Sequence, residues 1–224
     1  MRKQTGSSLT SVKSDGSQDR QKEIPRKGKI TMADRKDYEA LFHEMHPGFF
    51  EKENIRTMNE EWTYEEMILR LDEFDPEAYR KTFDGSVTFG LYTGGPGELH
   101  AAVEKVIPQW VPLYDGKSRV YCGFIDGRIA SFCMIEDMGE HMLDGQPVKI
   151  GGPGCVGTVP EYRNRGVALM MVKDVTQILK DEGYDISYIH YTGVAPWYSK
   201  LGYRTILKWN RHGITGGNTG ENML

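Results

Sequence analysis

Apolar residues recur along the first third of the chain at the spacing of helices. One apolar helix face is predicted over residues 34–45, from Tyr38, Leu41, Phe42 and Met45. Residues 63–66, Thr-Tyr-Glu-Glu, have the pattern of a capping box and predict a second helix, which continues up to Phe74. Residues 75–77, Asp-Pro-Glu, predict a further helix start, because an acidic cap is followed by proline at the first position.

From residue 86 onward, short apolar runs between glycines and prolines predict alternating strands and helices. The predicted strands are 87–92, 119–125, 129–135, 148–159, 186–191 and 203–209. The predicted helices are 98–106, 167–181 and 196–201, with a short turn at Trp110. Asp126-Gly127 predicts a hairpin turn, and Pro153 predicts a bend or bulge in its strand. This order predicts an α/β domain with a mixed sheet.

Four regions are therefore predicted. Residues 1–31 are rich in serine, glycine, lysine and arginine, and too few of them are apolar to offset the entropy of ordering, so we expect a flexible basic tail. A helical N-terminal extension follows over 32–85, and the α/β domain covers 86–214. Residues 215–224 contain glycine and asparagine and predict a second flexible tail.

The composition narrows the possible functions. Of 224 residues, 38% are hydrophobic and 27% charged, as in globular proteins. Residues 1–30 hold eight of the 28 Lys/Arg and three of the 32 Asp/Glu, which leaves 20 and 29 in an acidic body. That balance argues against nucleic-acid binding and is compatible with a cationic substrate. No apolar run of about 20 residues and no secretory signal is found, so we expect no membrane contact and a cytoplasmic location.

The strongest chemical signal is the 163–168 loop, Arg-Asn-Arg-Gly-Val-Ala, between a strand that ends at Pro160 and a helix that begins near Gly166. The start of a helix has unpaired N–H groups and the positive end of the helix dipole, which together bind anions. Gly166 lets the backbone approach a pyrophosphate closely, and Arg163 and Arg165 add positive charge. By itself the loop also fits an ordinary surface turn.

Two runs resemble the signatures of the GNAT N-acetyltransferase superfamily. Residues 156–168, Val-Gly-Thr-Val-Pro-Glu-Tyr-Arg-Asn-Arg-Gly-Val-Ala, resemble its acyl-CoA motif, V-x-P-x-x-R/Q-x-x-G-x-G/A between a strand and a helix, with Thr158 where valine is usual. Residues 198–204, Tyr-Ser-Lys-Leu-Gly-Tyr-Arg, resemble its second motif, Y-x-K-x-G-F/Y. The resemblance covers residues 87–209 and implies a GNAT-like fold with an additional N-terminal extension.

The resemblance implies an acyl-CoA-dependent N-acyltransferase that transfers acetyl from acetyl-CoA, its co-substrate, to a primary amine. It implies that Tyr198 is the general acid that protonates the departing thiolate. The implied cofactor-binding residues are Val156, Thr158, Arg163, Asn164, Arg165, Gly166, Val167 and Ala168. In this arrangement the backbone of Val156 and Thr158 pairs with the pantetheine arm, and the N–H groups of residues 163–168 hold the pyrophosphate. Two departures stand out: Tyr191-Thr192 replaces an asparagine that is common in the family, and the final hairpin looks short.

The residues leave the general base open. His190 lies near the end of a predicted strand, Glu136, Asp137 and Glu140 follow another, and a chain of water molecules needs no dedicated base. We expect no metal site, because His43 and His46 are three residues apart with no third ligand.

Two further functions remain open from the sequence. One is a non-catalytic acyl-CoA-binding or regulatory module, and the other is a transferase whose N-terminal helices bind a partner. The sequence specifies neither the amine, nor the acyl chain length, nor the oligomeric state. Cys122, Cys133 and Cys155 lie in apolar stretches and predict buried free thiols.

Overall fold

Eight strands form one mixed sheet in the part of the chain that the computed structural model describes, residues 33–217. The strands are β1 (Tyr64–Arg70), β2 (Val87–Leu91), β3 (Arg119–Ile125), β4 (Arg128–Leu143), β5 (Gln146–Thr158), β6 (Ile186–Thr192), β7 (Arg204–Asn210) and β8 (Gly213–Gly216). Their order in the sheet is β2-β3-β4-β5-β6-β1-β7-β8. β5 and β6 are parallel, and every other neighbouring pair is antiparallel.

Helices cover both faces of this sheet. They are α1 (Arg35–Met45), α2 (Glu53–Arg56), α3 (Pro96–Glu104), α4 (Val167–Asp181) and α5 (Ala195–Tyr198), with shorter helical turns between them. α4 packs against Cys133 and Ile135 of β4 on one face, which we call the α4 face. α3 packs against Phe132 and Met134 on the opposite face. Neighbouring residues of one strand point to opposite faces, so the two helices enclose β4 from both sides.

Most predicted elements of the α/β region are confirmed. β3 and α4 have the predicted bounds, and the hairpin between β3 and β4 turns at Asp126 and Gly127, whose φ angles are 51° and 72°. β5 passes through Pro153 and bulges next to it, at Cys155, where the register to β4 shifts. At Pro153, β5 no longer pairs with β6. A proline, which has no N–H to donate, can therefore occur there without breaking a bond between these two strands.

Residues 64–70 correct the prediction for the N-terminal region. The helix predicted from the capping box at 63–66 is wrong, since these residues form β1, between β6 and β7. Met67 and Ile68 point to opposite faces and both are buried, as in a strand that is covered on two sides. The helix predicted at 75–77 is also wrong: the N–H of Glu77 donates to Asp75 Oδ1 over 2.8 Å in a local turn.

α1 confirms the first predicted helix, and its apolar face is not available to a partner. Tyr38, Leu41 and Phe42 are at most 1% exposed, and α1 contacts β4 and β7. Phe42 and Phe49 pack near His190 on the sheet face opposite α4, which we call the α1 face. This burial makes α1 a structural part of the domain.

The predicted tails lie largely beyond the described residues. Residues 1–31 and 218–224 are outside them. Thr215 and Gly216, which we assigned to the second tail, belong instead to β8, an edge strand that pairs with β7.

Candidate functional site

β5 and β6 separate soon after they pair. Their parallel ladder joins Ile150 to Ile186 and Gly151 to Ser187. At Gly152 the strands still pass so closely that a Cβ atom would lie 2.0 Å from the carbonyl oxygen of Tyr188. Beyond that point no described strand pairs with the β6 side of β5, up to its end at Thr158. We call this separation the fork; it leaves a backbone edge of β5 open to an extended ligand.

A cleft of about 610 Å³ runs from the fork to the start of α4. Its walls combine the end of β5, the start of α4, the α5 region and the segment after α3. The residues that the two sequence motifs place here line one cavity: Val156, Thr158, Arg163, Asn164, Gly166, Val167, Ala168 and Tyr198. Of the predicted cofactor-binding residues, Arg165 does not line the cleft; its guanidinium donates to the carbonyl oxygen of Glu161 and lies over the ring of Tyr162.

The 163–168 loop turns the chain so that the start of α4 faces this cleft. Asn164 and Gly166 have φ angles of 62° and 80°, and α4 begins immediately afterwards at Val167. The N–H of Arg163 is already used, because it donates to the carbonyl oxygen of Pro160 over 3.2 Å. The first bond into the helix comes from the N–H of Met170. Hence the N–H groups of residues 164–169 have no acceptor within the described chain, and they form a donor cluster at a positive helix end.

Two cationic side chains accompany this donor cluster. Arg163 is held by its Nε, which donates to the carbonyl oxygen of Thr158 over 3.3 Å. The Lys81 side chain lies across Gly166, where a Cβ atom would be 2.5 Å from its Cδ and 3.1 Å from its Nζ. Sequence reasoning missed Lys81, because it belongs to an irregular segment far from either motif, and no local pattern signals its position.

Tyr198 lies at the other end of the cleft and is only 6% exposed. Its ring packs edge-on against Trp197 and Tyr203, at centroid distances of 4.7 and 5.9 Å. Its hydroxyl has no hydrogen-bond partner among residues 33–217. Burial, and then the nearby Tyr203 and Cys133, raise the pKa of Tyr198 above its usual range. The phenol therefore keeps its proton and is free to donate it to a ligand atom in the cleft.

Of the side chains considered as bases, two lie near the fork and interact electrostatically. Glu136 and His190 are both half-buried on the α1 face, and the carboxylate of Glu136 lies where a Cβ atom of Gly154 would be. Burial raises the pKa of Glu136, and the neighbouring His190 lowers it in part. Asp137 instead accepts from the N–H of Gly139 over 3.0 Å in an exposed bulge, and Glu140 is exposed.

The backbone of both arms of the fork is strained. Cys155 on β5 and Tyr191 on β6 are non-glycine residues with φ angles of 48° and 20°. The carbonyl oxygen of Cys155 accepts from the Tyr114 hydroxyl over 2.7 Å, which fixes the bulge. Burial raises the pKa of the Cys155 thiol to about 12, so this cysteine is a poor nucleophile.

The described residues contain no group of three or more side chains placed to bind a metal ion. His43 and His46 both pack on Phe42, and His46 also stacks on His190 inside an aromatic cluster. Between residues 33 and 217, no helix has both the length and the apolar content needed to cross a membrane.

Comparison with known families and structures gives an independent result. Residues 94–206, just over half of the chain, match the family described as Acetyltransferase (GNAT) domain. No curated protein matches the sequence of this chain.

Similar solved structures include a GCN5-related glucosamine N-acetyltransferase region of a fungal multi-domain GH3 beta-N-acetylglucosaminidase. It matches with 21% identity and a TM-score of 0.53, over 66% of this chain and 20% of its own. A putative acetyltransferase from Novosphingobium aromaticivorans matches with 22% identity and a TM-score of 0.46, over 65% of this chain and 60% of its own. A GCN5-related N-acetyltransferase from Kribbella flavida matches with 15% identity and a TM-score of 0.47, over 73% and 62%. The protein thus spans less than two thirds of the length of each of these three structures. Its similarity to the fungal region shows a shared fold.

Proposed function

This chain belongs to the GNAT acetyltransferase family, and from that premise we propose that it transfers an acetyl group from acetyl-CoA to a primary amine. One observation carries the proposal. The open edge of β5, the donor cluster at the start of α4 and the hydroxyl of Tyr198 all border the same cleft. An acyl-CoA has matching parts: a thioester at one end, a pyrophosphate further along, and an extended pantetheine arm between them.

In the proposed complex, the pyrophosphate lies on the N–H groups of residues 164–168, with Arg163 and Lys81 beside it. Fixed N–H donors and cationic side chains are the usual protein partners of a diphosphate. The pantetheine amides pair with the open edge of β5 at Val156 and Thr158, as an added strand would. The carbonyl of Thr158 already accepts from Arg163, so we assign the pairing there to its N–H group.

The chemistry follows from where the thioester then lies. The amine nitrogen attacks the thioester carbonyl carbon, the C–N bond forms, and the C–S bond breaks with its electron pair on sulfur. Tyr198 donates its hydroxyl hydrogen bond to the sulfur as negative charge develops and acts as the general acid. The buried phenol suits this role because it stays protonated across the neutral range.

The test combines binding with turnover. Calorimetry should show that acetyl-CoA binds with one site per chain, and thiol release should show turnover with members of a panel of primary amines. Tyr198→Phe should keep acetyl-CoA affinity and lower kcat by about 10²-fold, since general acid catalysis contributes at least that much. The fold should survive, because the lost hydroxyl has no partner within residues 33–217.

Three outcomes separate the alternatives. Absence of acetyl-CoA binding would overturn the proposal. Binding without turnover on any amine would indicate a regulatory module instead. Unchanged kcat in Tyr198→Phe would retain the transferase but remove Tyr198 as its acid.

A further inference from the structure

A fully buried carboxylate, Glu66 of β1, is the centre of a hydrogen-bond network behind the fork. Its Oε1 accepts from Trp209 Nε1 over 2.7 Å. Its Oε2 accepts from the Tyr188 hydroxyl over 2.8 Å, from the backbone N–H of Tyr191 over 3.3 Å, and from His190 Nδ1 over 3.1 Å. A buried carboxylate is stable only when such donors replace its water shell, and here four groups do so.

Of the three side chains that donate to Glu66, only that of His190 is accessible; Tyr188 and Trp209 are at most 1% exposed. The His190 side chain is 25% exposed, whereas that of Glu66 is 0% exposed. A carboxylate at Nδ1 selects the tautomer that carries its proton there, which leaves the lone pair of Nε2 free to accept a proton. His46 stacks on the imidazole at a centroid distance of 3.7 Å, so the ring cannot turn easily. Burial and the neighbouring His190 lower the pKa of His46 to about 4, so His46 is itself a weak base.

Continuing the register places His190 on the β6 arm of the fork, near the level at which the open edge of β5 begins. Gly151 pairs with Ser187, and three residues further along each strand Gly154 and His190 reach the same level, on the two arms of the fork. The carboxylate of Glu136 occupies the space over Gly154 and interacts electrostatically with His190. The open edge of β5 that we assign to pantetheine begins at this level. His190 and Glu136 therefore border the end of the fork on the α1 face.

We propose that His190 is the general base that deprotonates the acceptor amine, that Glu66 is its positioning residue, and that Glu136 attracts the ammonium form of the substrate. This inference rests on the proposed acetyl transfer. An ammonium gives one proton to His190 Nε2, which passes it to water. The freed lone pair forms the C–N bond, and the C–S bond breaks as Tyr198 gives its hydroxyl proton to the sulfur. The second proton that leaves nitrogen returns to the Tyr198 oxygen, so both residues end as they began.

This assignment also defines the acceptor by its chemistry. A base and a carboxylate at one site are useful to an amine that is protonated in neutral solution, and they bring little to an amine that is already neutral. The inferred acceptor class is therefore a cationic aliphatic amine. It would approach from the α1 face, where His190 and Glu136 lie.

The first test needs no substrate. Long-range proton–nitrogen NMR of the imidazoles should show His190 with a protonated Nδ1 and an unprotonated Nε2. Glu66→Gln should change this pattern, because an amide no longer presents two acceptor oxygens. A His190 that is protonated at Nε2 in the native protein would overturn the proposal, whatever the effect of Glu66→Gln on folding.

The second test uses propylamine, which is cationic at neutral pH, and O-methylhydroxylamine, which is neutral there. His190→Gln should lower kcat with propylamine by about 10²-fold or more and change turnover of O-methylhydroxylamine by less than about tenfold, with the KM for acetyl-CoA unchanged. His212→Gln, an exposed histidine on the β7–β8 turn, should leave both rates unchanged. Glu136→Gln should raise the KM for propylamine more than that for O-methylhydroxylamine.

The outcomes are distinguishable. A native protein that acetylates neither these amines nor any member of a wider amine panel overturns the proposed function and this inference with it. Native turnover that His190→Gln leaves intact, or reduces equally for both amines, overturns this inference alone.

Discussion

Gly166 shows how a single backbone position can serve a ligand. It has a φ angle of 80°, and Gly183 has one of 77° at the opposite end of α4. A side chain at either position is strained by about 1–2 kcal/mol. Only Gly166 borders the cleft, where it meets Lys81, while a Cβ atom at Gly183 would meet open space. The same substitution at both positions should therefore cause similar strain, but only the one at Gly166 can affect a ligand in the cleft.

We predict that Gly166→Glu abolishes acetyl-CoA binding, because it places a carboxylate in the anion site. Gly183→Glu is the matched control, with the same added charge and a similar strain, and should keep native affinity. Calorimetry measures binding and thermal unfolding measures the strain of both variants. Native affinity in Gly166→Glu would mean that the pyrophosphate lies elsewhere.

Lys81 lines the cleft beside Gly166, where its ammonium group can contact a bound phosphate. Lys81→Ala should weaken acetyl-CoA binding by about tenfold, roughly 1.4 kcal/mol, and the loss should shrink at high salt because ionic contacts are screened. Lys117, which is 86% exposed and outside the cleft, provides the control Lys117→Ala. Equal affinities of the two variants at low salt would remove Lys81 from the site.

At the scale of elements, the local sequence predicts some helices and strands correctly and others wrongly. α4 is predictable because its apolar positions repeat at helix spacing and Gly183 ends it, and β3 because a strong turn follows it. β1 is not predictable in this way. The capping-box pattern is a local signal, whereas the strand conformation of β1 depends on pairing with β6 and β7, more than a hundred residues away. The cleft residues of the two motifs were predictable from their resemblance to a family. The position of Lys81 in the cleft and the network around Glu66 were not predictable, because only the folded chain brings these residues to their partners.

The central position of β1 gives a prediction about stability. Met67 is fully buried in β1, and Leu91 is 49% exposed on the edge strand β2. Met67→Ala should lower the free energy of unfolding by about 2–5 kcal/mol through the cavity that it leaves. Leu91→Ala should change it by less than about 0.5 kcal/mol. Urea denaturation measures both, and similar losses would contradict a central place for β1.

At the scale of the whole molecule, two histidines should give stability opposite dependences on pH. The pKa of His46 is lowered to about 4, first by burial and then by His190 and Lys52, against the attraction of Glu66. The unfolded chain therefore binds more protons between pH 4 and about 6.5, and stability is lost as the pH falls through that window. The pKa of His141 is raised: burial lowers it, but hydrogen bonds to Glu44 and the Met138 carbonyl outweigh that effect. The contribution of His141 to the free energy of unfolding is therefore present at low pH and lost as the pH rises through its raised pKa.

We accordingly predict that His46→Gln reduces the fall in Tm between pH 6.5 and pH 4.5, while His141→Gln makes that fall steeper. Thermal denaturation across the pH range, with the native chain beside both variants, measures the two slopes. Parallel curves for all three proteins would mean that neither histidine is linked to folding as described.

The position of β1 between β6 and β7 also sets the order in which a ribosome can complete the protein. The two partners of this strand begin at residues 186 and 204, more than 110 residues after it ends. At about 5–20 residues per second, the unpaired backbone N–H and C=O groups of β1 wait roughly 6–27 seconds for their partners. During that interval the nascent chain exposes an unpaired strand of the kind that chaperones bind, and the hydrogen-bond network around Glu66 cannot assemble until Trp209 has been synthesised.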